Sequence, residues 1–377
     1  MALPSTMKAI TINGNKAKVS EISLPKIRPT YLLAKVEAIA LNPTDWKHIN
    51  GKRAAENGLA GCDFAGTVVE VGSDVTKQFQ VGDRIAGTTH GANASQPEDG
   101  CFAEYAVAKA DLLVKIPSTM SFEQAATFPL GVSTVGQGLY QKALKLHLPT
   151  DPINPQNSQT LLIYGGSTAT GSLAIQFAKA SGYKVLTTCS PHNNDFVRSL
   201  GADAVYNYKS PDVGKQINRD TENSLTLIWD TISLASSAAI CSEAFSSDPS
   251  ILSTGGGGAK YGTILPIKLP SSNPNSTQIE TTMTFMYTIF NEPFTKAGRS
   301  TPSIPEDFDF AKNFFQITED MFLANTLKTH PEQVGENGLQ GALKGMEDMK
   351  NEKISGRKLV YRVKETPEGA VGVGVEL

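Results

Sequence analysis

The chain has 377 residues, 40% of them hydrophobic, and a formal net charge of −3. That length suits two domains with a sizeable core. The charge gives no argument for nucleic-acid binding, and no apolar run approaches the ~18 residues of a membrane span.

Residues 1–8 carry no signal-peptide core. Four scattered cysteines (Cys62, Cys101, Cys189, Cys241) make no disulfide framework and no C-x-x-C pair. A reducing, cytoplasmic setting is the expectation. From Lys8 to about Pro117 the chain reads as short strands punctuated by glycine, for example residues 31–40 and 66–72. That part is β-rich and barrel-like. From about Ser121 the period turns helical. A Pro/Asn-rich linker, residues 148–155, then precedes an apolar run into a Gly-rich turn, Gly165-Gly166-Ser167-Thr168-Ala169-Thr170-Gly171.

An apolar helical pattern leaves that turn. A strand-turn-helix unit of this kind sets orphan amides and the positive end of a helix dipole under a pyrophosphate. Ser167, Thr168, Ala169 and Thr170 are the expected phosphate neighbours. The dinucleotide fingerprint G-x-G-x-x-G has glycine in the middle. Here Gly166 stands first, Thr168 in the middle and Gly171 last. Thr168 is expected to hold a nucleotide slightly further out or to bond a phosphate through its hydroxyl. A strand-to-helix turn with no ligand is the plain alternative.

A second strand, residues 184–190, ends about 20 residues beyond the turn, where the fingerprint places an acid on the ribose. This chain offers Ser190-Pro191-His192-Asn193 instead. No carboxylate repels a 2′-phosphate there, and a third apolar piece, residues 204–209, brings Tyr208 and Lys209. NADP(H) is therefore expected over NAD(H). Ser190 as a helix cap is compatible with both. Strands and helices alternate to about Thr254 and close at residues 255–258, which predicts a parallel sheet covered on both faces. Residues 270–276 read as a loop, 279–288 as a strand, 310–322 as a helix and 358–363 as the last strand.

Asn42-Pro43-Thr44-Asp45, Gly61-Cys62-Asp63-Phe64-Ala65-Gly66, Val81-Gly82-Asp83-Arg84, Phe102-Ala103-Glu104-Tyr105 and Gly356-Arg357-Lys358-Leu359-Val360 together resemble a medium-chain dehydrogenase/reductase. With the Gly165–Gly171 turn and Ser190 to Asn193, the chain is similar to the trans-acting enoyl reductases of fungal polyketide biosynthesis. The resemblance implies an α/β protein: a GroES-like β-barrel catalytic domain (residues 1–129 and 305–377) plus a Rossmann domain with a doubly wound parallel sheet (130–304). It places the active site in a cleft between them. Zinc-dependent members carry a cysteine near Asn42-Pro43 and a His-Glu pair after a glycine. Here the positions read Asn42 and Cys62-Asp63, so no metal is expected, and Cys62 and Cys101 are expected as buried small hydrophobes.

The same resemblance implies NADPH as cofactor and an α,β-unsaturated thioester as substrate, carried on the acyl-carrier protein of a partner polyketide synthase. Negative charge would build on the thioester oxygen, and Lys47 and Thr134 are the candidates to stabilise it. Lys47 either holds the nicotinamide ribose, polarises the carbonyl, or does both, and the α-carbon proton comes from Lys47 or solvent. Thr44, Asp45, Trp46, Lys47 and Ser355 are further expected cofactor contacts. Leu130, Gly131, Val132, Ser133, Thr134, Met283 and Phe285 are the expected substrate contacts. Plain alternatives stand beside these: a solvated lysine, a threonine bonded to a helix carbonyl, Asp45 as a helix cap, Tyr208 as a half-buried strand aromatic. Lys52 and Arg53 form either a basic rim for an acidic carrier or a solvated turn. Two further functions stay open: a zinc-independent quinone or enone reductase, and a redox-inactive homologue that binds a polyketide to direct cyclisation.

Overall fold

A computed structural model of the chain describes residues 3–154, 158–253, 258–296 and 298–377. Pro155 of the expected linker, Thr254, and residues 255–257 of the expected glycine closure lie outside the described residues. The chain forms two compact units, Met1–Leu130 with Tyr287–Leu377, and Gly131–Met286.

The first unit is a β-barrel-like domain. Its long strand Tyr31–Ala40 alternates polar and apolar residues only weakly because it is buried along most of its length. It pairs antiparallel with Asp63–Val71 on one side, and with Tyr105–Lys109 and Lys358–Arg362 on the other. Register shifts after Leu33 and Val36 bend it. Met7, Ile10, Phe64 and Phe102 are fully buried. Ile10, Phe64 and Phe102 share one core with Leu343 of the helix Gly338–Lys350. Two expectations change here. The strand at 358 ends at Arg362, and a further strand, Gly374–Glu376, pairs with Lys16–Ser23. The helix expected at 310–322 runs from Pro305 to Leu323, with proline in its first turn and Glu306 and Asp307 near its positive end.

The second unit is a six-stranded parallel sheet. Its strands are Thr160–Tyr164, Lys184–Cys189, Ala204–Asn207, Leu227–Asp230, Ala259–Thr263 and Ile279–Met283. Counted along the unit, their spatial order is 3-2-1-4-5-6. This is the doubly wound dinucleotide-binding order, with its reversal at the first strand. The last strand stops at Met283 rather than continuing to residue 288. The Thr284 amide makes the last ladder bond, to the Thr263 carbonyl (2.8 Å, with its hydroxyl at 3.2 Å), where the partner strand Ala259–Thr263 ends, and Met286–Phe290 then forms a short 3₁₀ turn. The stretch 287–304, expected in the Rossmann domain, belongs to the first unit. The Tyr287 hydroxyl bonds Thr44 there, and the Thr295 amide donates to Ser95.

Candidate active site and nucleotide-binding turn

In the second unit, the Gly-rich turn leads into the helix Ala169–Ala180. Thr168 is its N-cap: the hydroxyl accepts from the Gly171 amide at 2.9 Å and donates to the Gly165 carbonyl at 2.9 Å. Both of these hydrogen bonds close the turn on itself. The first-turn amides of Ala169 and Thr170 are the orphan donors such a helix presents. Gly165 has φ +84°, and a Cβ there would meet Thr231 Oγ1 at 2.6 Å. A Cβ on Gly171 would stand 2.3 Å from the Gly165 carbonyl oxygen, so this glycine lets helix and strand approach. Thr231 braces the turn by donating to the Tyr164 carbonyl at 2.8 Å. The sequence reading missed it, since a threonine after a strand carries no signal of its own.

The second strand of this unit ends at Cys189. Ser190 starts a short 3₁₀ turn, Pro191–Asn193, without using its side chain as a cap. Its hydroxyl instead lies 3.4 Å from the Tyr208 hydroxyl. Tyr208 is exposed, and the Lys209 ammonium stands 5.8 Å from its ring centroid. Two hydroxyls and a cation thus gather where the fingerprint would put a carboxylate. His192 is exposed, and Asn193 is buried with no partner for its Nδ2 among the described residues.

Ser133 and Thr134 are buried on the helix Pro129–Val135, which continues as a π-helix, Gly136–Gln141. Such segments are uncommon and concentrate at functional sites. Gln137 in that segment accepts the Phe285 amide at 3.1 Å, a positioning contact that sequence alone does not show. Met283 is exposed at the end of the edge strand. Gly131 and Val132 are buried, and Leu130 is half-buried in the first unit.

In the first unit, the helix Pro43–Asn50 carries Thr44, Asp45, Trp46 and Lys47. Asp45 is 2% exposed, and its Oδ2 accepts the Asn42 amide at 2.7 Å. From the third position of the helix it thus reaches back to the N-cap residue Asn42 and completes a capping box. Burial, partly offset by that amide, raises its carboxyl to a pKa of about 7. Lys47 is half-buried, with its ammonium 5.6 Å from the Trp46 ring centroid. Burial first, then Arg53, lowers its pKa. Lys52 and Arg53 are exposed. Ser355 is exposed in the loop before the strand Lys358–Arg362.

Around Asn42 and Asp63, the positions weighed above as metal ligands, this chain builds a buried ion pair. Lys358 Nζ reaches Asp63 Oδ2 at 2.5 Å, with side chains 3% and 0% exposed. It also donates to Asn42 Oδ1 and to the Thr127 carbonyl, both at 3.0 Å. Asp63 accepts further from Asn42 Nδ2 at 2.8 Å and from the Leu130 amide at 2.7 Å. All four cysteines are free and buried, and burial pushes the Cys62 and Cys101 thiols well up. Among the described residues, no three His, Cys, Asp or Glu side chains gather as metal ligands.

Comparison with known proteins follows these features. A family model described as alcohol dehydrogenase GroES-like domain matches residues 28–118, and one described as zinc-binding dehydrogenase matches 169–297. The chain is 42% identical to trans-enoyl reductase resD of Aspergillus sclerotiorum, over 95% of this chain and 100% of that one. It is 34% identical to the enoyl reductase component lovC of the lovastatin nonaketide synthase of Aspergillus terreus, over 96% and 97%. Its fold matches a solved alcohol dehydrogenase superfamily protein from Novosphingobium aromaticivorans with a TM-score of 0.74 at 22% identity, over 95% of this chain and 99% of that one.

Proposed function

The chain belongs to the medium-chain dehydrogenase/reductase family of nicotinamide-dependent oxidoreductases, and from that premise we propose that it is a trans-acting enoyl reductase. It uses NADPH to reduce an α,β-unsaturated polyketide thioester presented by the acyl-carrier protein of a separate synthase. Relatives named trans-enoyl reductases, at 34–44% identity over most of the chain, support this.

The observation that carries the cofactor choice is the end of the second Rossmann strand. Ser190 and Tyr208 hydroxyls face each other there, with Lys209 beside them and no carboxylate in the Ser190 to Asn193 turn. A dianionic 2′-phosphate finds donors and a cation in this corner, whereas the fingerprint acid that bonds a free ribose 2′-hydroxyl is missing. The Ala169 and Thr170 amides, with Ser167, suit the pyrophosphate. Thr168 fits this arrangement as a cap, so its departure from the fingerprint is accounted for without loss of the nucleotide.

When bound, NADPH supplies the hydride for the β-carbon. The chain's own work is to stabilise the negative charge that then gathers on the thioester oxygen. Lys47 is assigned to it: half-buried, its ammonium is less screened than a surface lysine and acts more strongly on a developing oxyanion. Its lowered pKa also brings it nearer to a proton donor matched to neutral pH. Thr134 is assigned as a second donor, and Phe285, Met283 and Leu130 as apolar substrate contacts.

The test is steady-state reduction of an enoyl N-acetylcysteamine thioester, followed by loss of NADPH absorbance, beside a quinone and beside NADH. Turnover on the thioester with NADPH supports the proposal. Faster turnover on the quinone would favour the quinone reductase reading. Nucleotide binding without any turnover would favour the redox-inactive one.

A further inference from the structure

Thr44, an expected cofactor contact, closes a triangle of polar atoms with two residues that the roles above leave unused. Its Oγ1 lies 2.7 Å from the Tyr287 hydroxyl and 3.1 Å from His48 Nε2, and the Tyr287 hydroxyl lies 3.2 Å from the same nitrogen. Tyr287 and His48 are 5% and 2% exposed, while Thr44 is half-buried. Thr44 is the most exposed of the three.

The other two are held firmly. The Tyr287 ring stacks on His90 with centroids 4.4 Å apart, and the Lys296 ammonium stands 3.3 Å from its centroid. His48 lies four residues beyond Thr44, on the same face of one helix. Burial, then Cys62, keeps the phenol protonated. Burial, then Lys296, His90 and Arg53, keeps the imidazole neutral. The triangle therefore holds a fixed set of protons through the neutral range. A threonine hydroxyl otherwise samples several staggered positions, and two rigid partners select one of them.

We propose that Tyr287 and His48 are positioning residues that lock the Thr44 hydroxyl in one orientation, from which it donates to an oxygen of the bound nucleotide or thioester. This rests on the enoyl reductase reading for the identity of the ligand. Neither residue touches the ligand. Both act through Thr44, so their effect vanishes when the Thr44 hydroxyl is gone.

The experiment is a double-mutant cycle of Thr44→Val and Tyr287→Phe. It is read in NADPH dissociation constant by fluorescence and in kcat and KM on an enoyl N-acetylcysteamine thioester. Y287F is expected to cost about 5- to 30-fold when Thr44 is present and less than about twofold in T44V, the coupling typical of contacting groups. Thr44→Ser keeps the hydroxyl and is expected to retain the Y287F effect. The same cycle with His48→Gln stands in if Y287F fails to fold. A loss in dissociation constant assigns the acceptor to the nucleotide, and a loss in kcat assigns it to the thioester. Equal Y287F costs with and without the Thr44 hydroxyl overturn the proposal, as does no cost at all. If NADPH binds but no thioester is reduced, the enoyl reductase reading falls, and the cycle in dissociation constant alone decides: coupling upholds the Thr44 device and additivity overturns it.

Discussion

Replacing Lys358 with methionine removes three hydrogen bonds at once from a site with side chains 3% and 0% exposed. Two neutral acceptors, Asn42 Oδ1 and the Thr127 carbonyl, lose their partner, and the Asp63 carboxylate loses its counter-charge. Breaking one side of a buried pair costs about 3–5 kcal/mol, because the surviving charge stays buried. Asp63→Asn in the same chain removes that charge while keeping an acceptor for the Leu130 amide. The double variant is therefore expected to lie only about 1–2 kcal/mol below the parent. Urea unfolding measures this, and the two tryptophans make it specific. Trp46 lies in the first unit and Trp229 in the second, so in a Trp229→Phe background the emission follows the unit that holds the pair. The reasoning fails if K358M costs less than about 1 kcal/mol, or if D63N leaves the K358M variant no more stable.

Three further outcomes follow from the same structure. Asp45 has a pKa of about 7 in the folded chain against an ordinary value of 3.8, so the folded state binds more protons between those values. Its ionisation therefore erodes stability as pH rises from about 4 to 7, by up to ~4 kcal/mol. Asp45→Asn should flatten that slope and leave the protein more stable than the parent at pH 8, which urea titrations at pH 5 and pH 8 compare. Thr168→Ala removes the cap on the Gly171 amide and should cost the second unit about 1 kcal/mol, read from Trp229 emission in a Trp46→Phe background. Tyr208→Phe should weaken NADPH about fivefold, the worth of one ordinary hydrogen bond, and leave NADH unchanged in fluorescence titrations. An equal loss for both nucleotides would place Tyr208 away from the 2′-phosphate.

Much of the fold was legible because its signals are local. The strand expected at 31–40 is observed with those bounds, and the one expected at 184–190 ends one residue earlier. The Gly-rich turn announced a helix that begins at Ala169. The run from 279 to 288 misled because its Thr-rich, apolar composition suits a strand throughout, whereas the neighbouring strand it pairs with ends at Thr263, opposite Met283. What stayed hidden at the site depends on distant pairings. Thr44 and Tyr287 are 243 residues apart, and Asp63 and Lys358 are 295 apart. Nothing in local periodicity encodes such contacts. Thr168 shows a different limit: its position in the turn was plain, but whether its hydroxyl faces a phosphate or the Gly171 amide is decided by backbone geometry.

The most direct measurement uses NADPH with both C4 positions of the nicotinamide deuterated, together with an enoyl N-acetylcysteamine thioester and a metal chelator. The product is then read by nuclear magnetic resonance. The account predicts undiminished turnover, with deuterium transferred to the β-carbon and a solvent-derived proton on the α-carbon. Oxidation abolished by the chelator, or a thioester product with deuterium at any carbon but the β-carbon or with none, would contradict it.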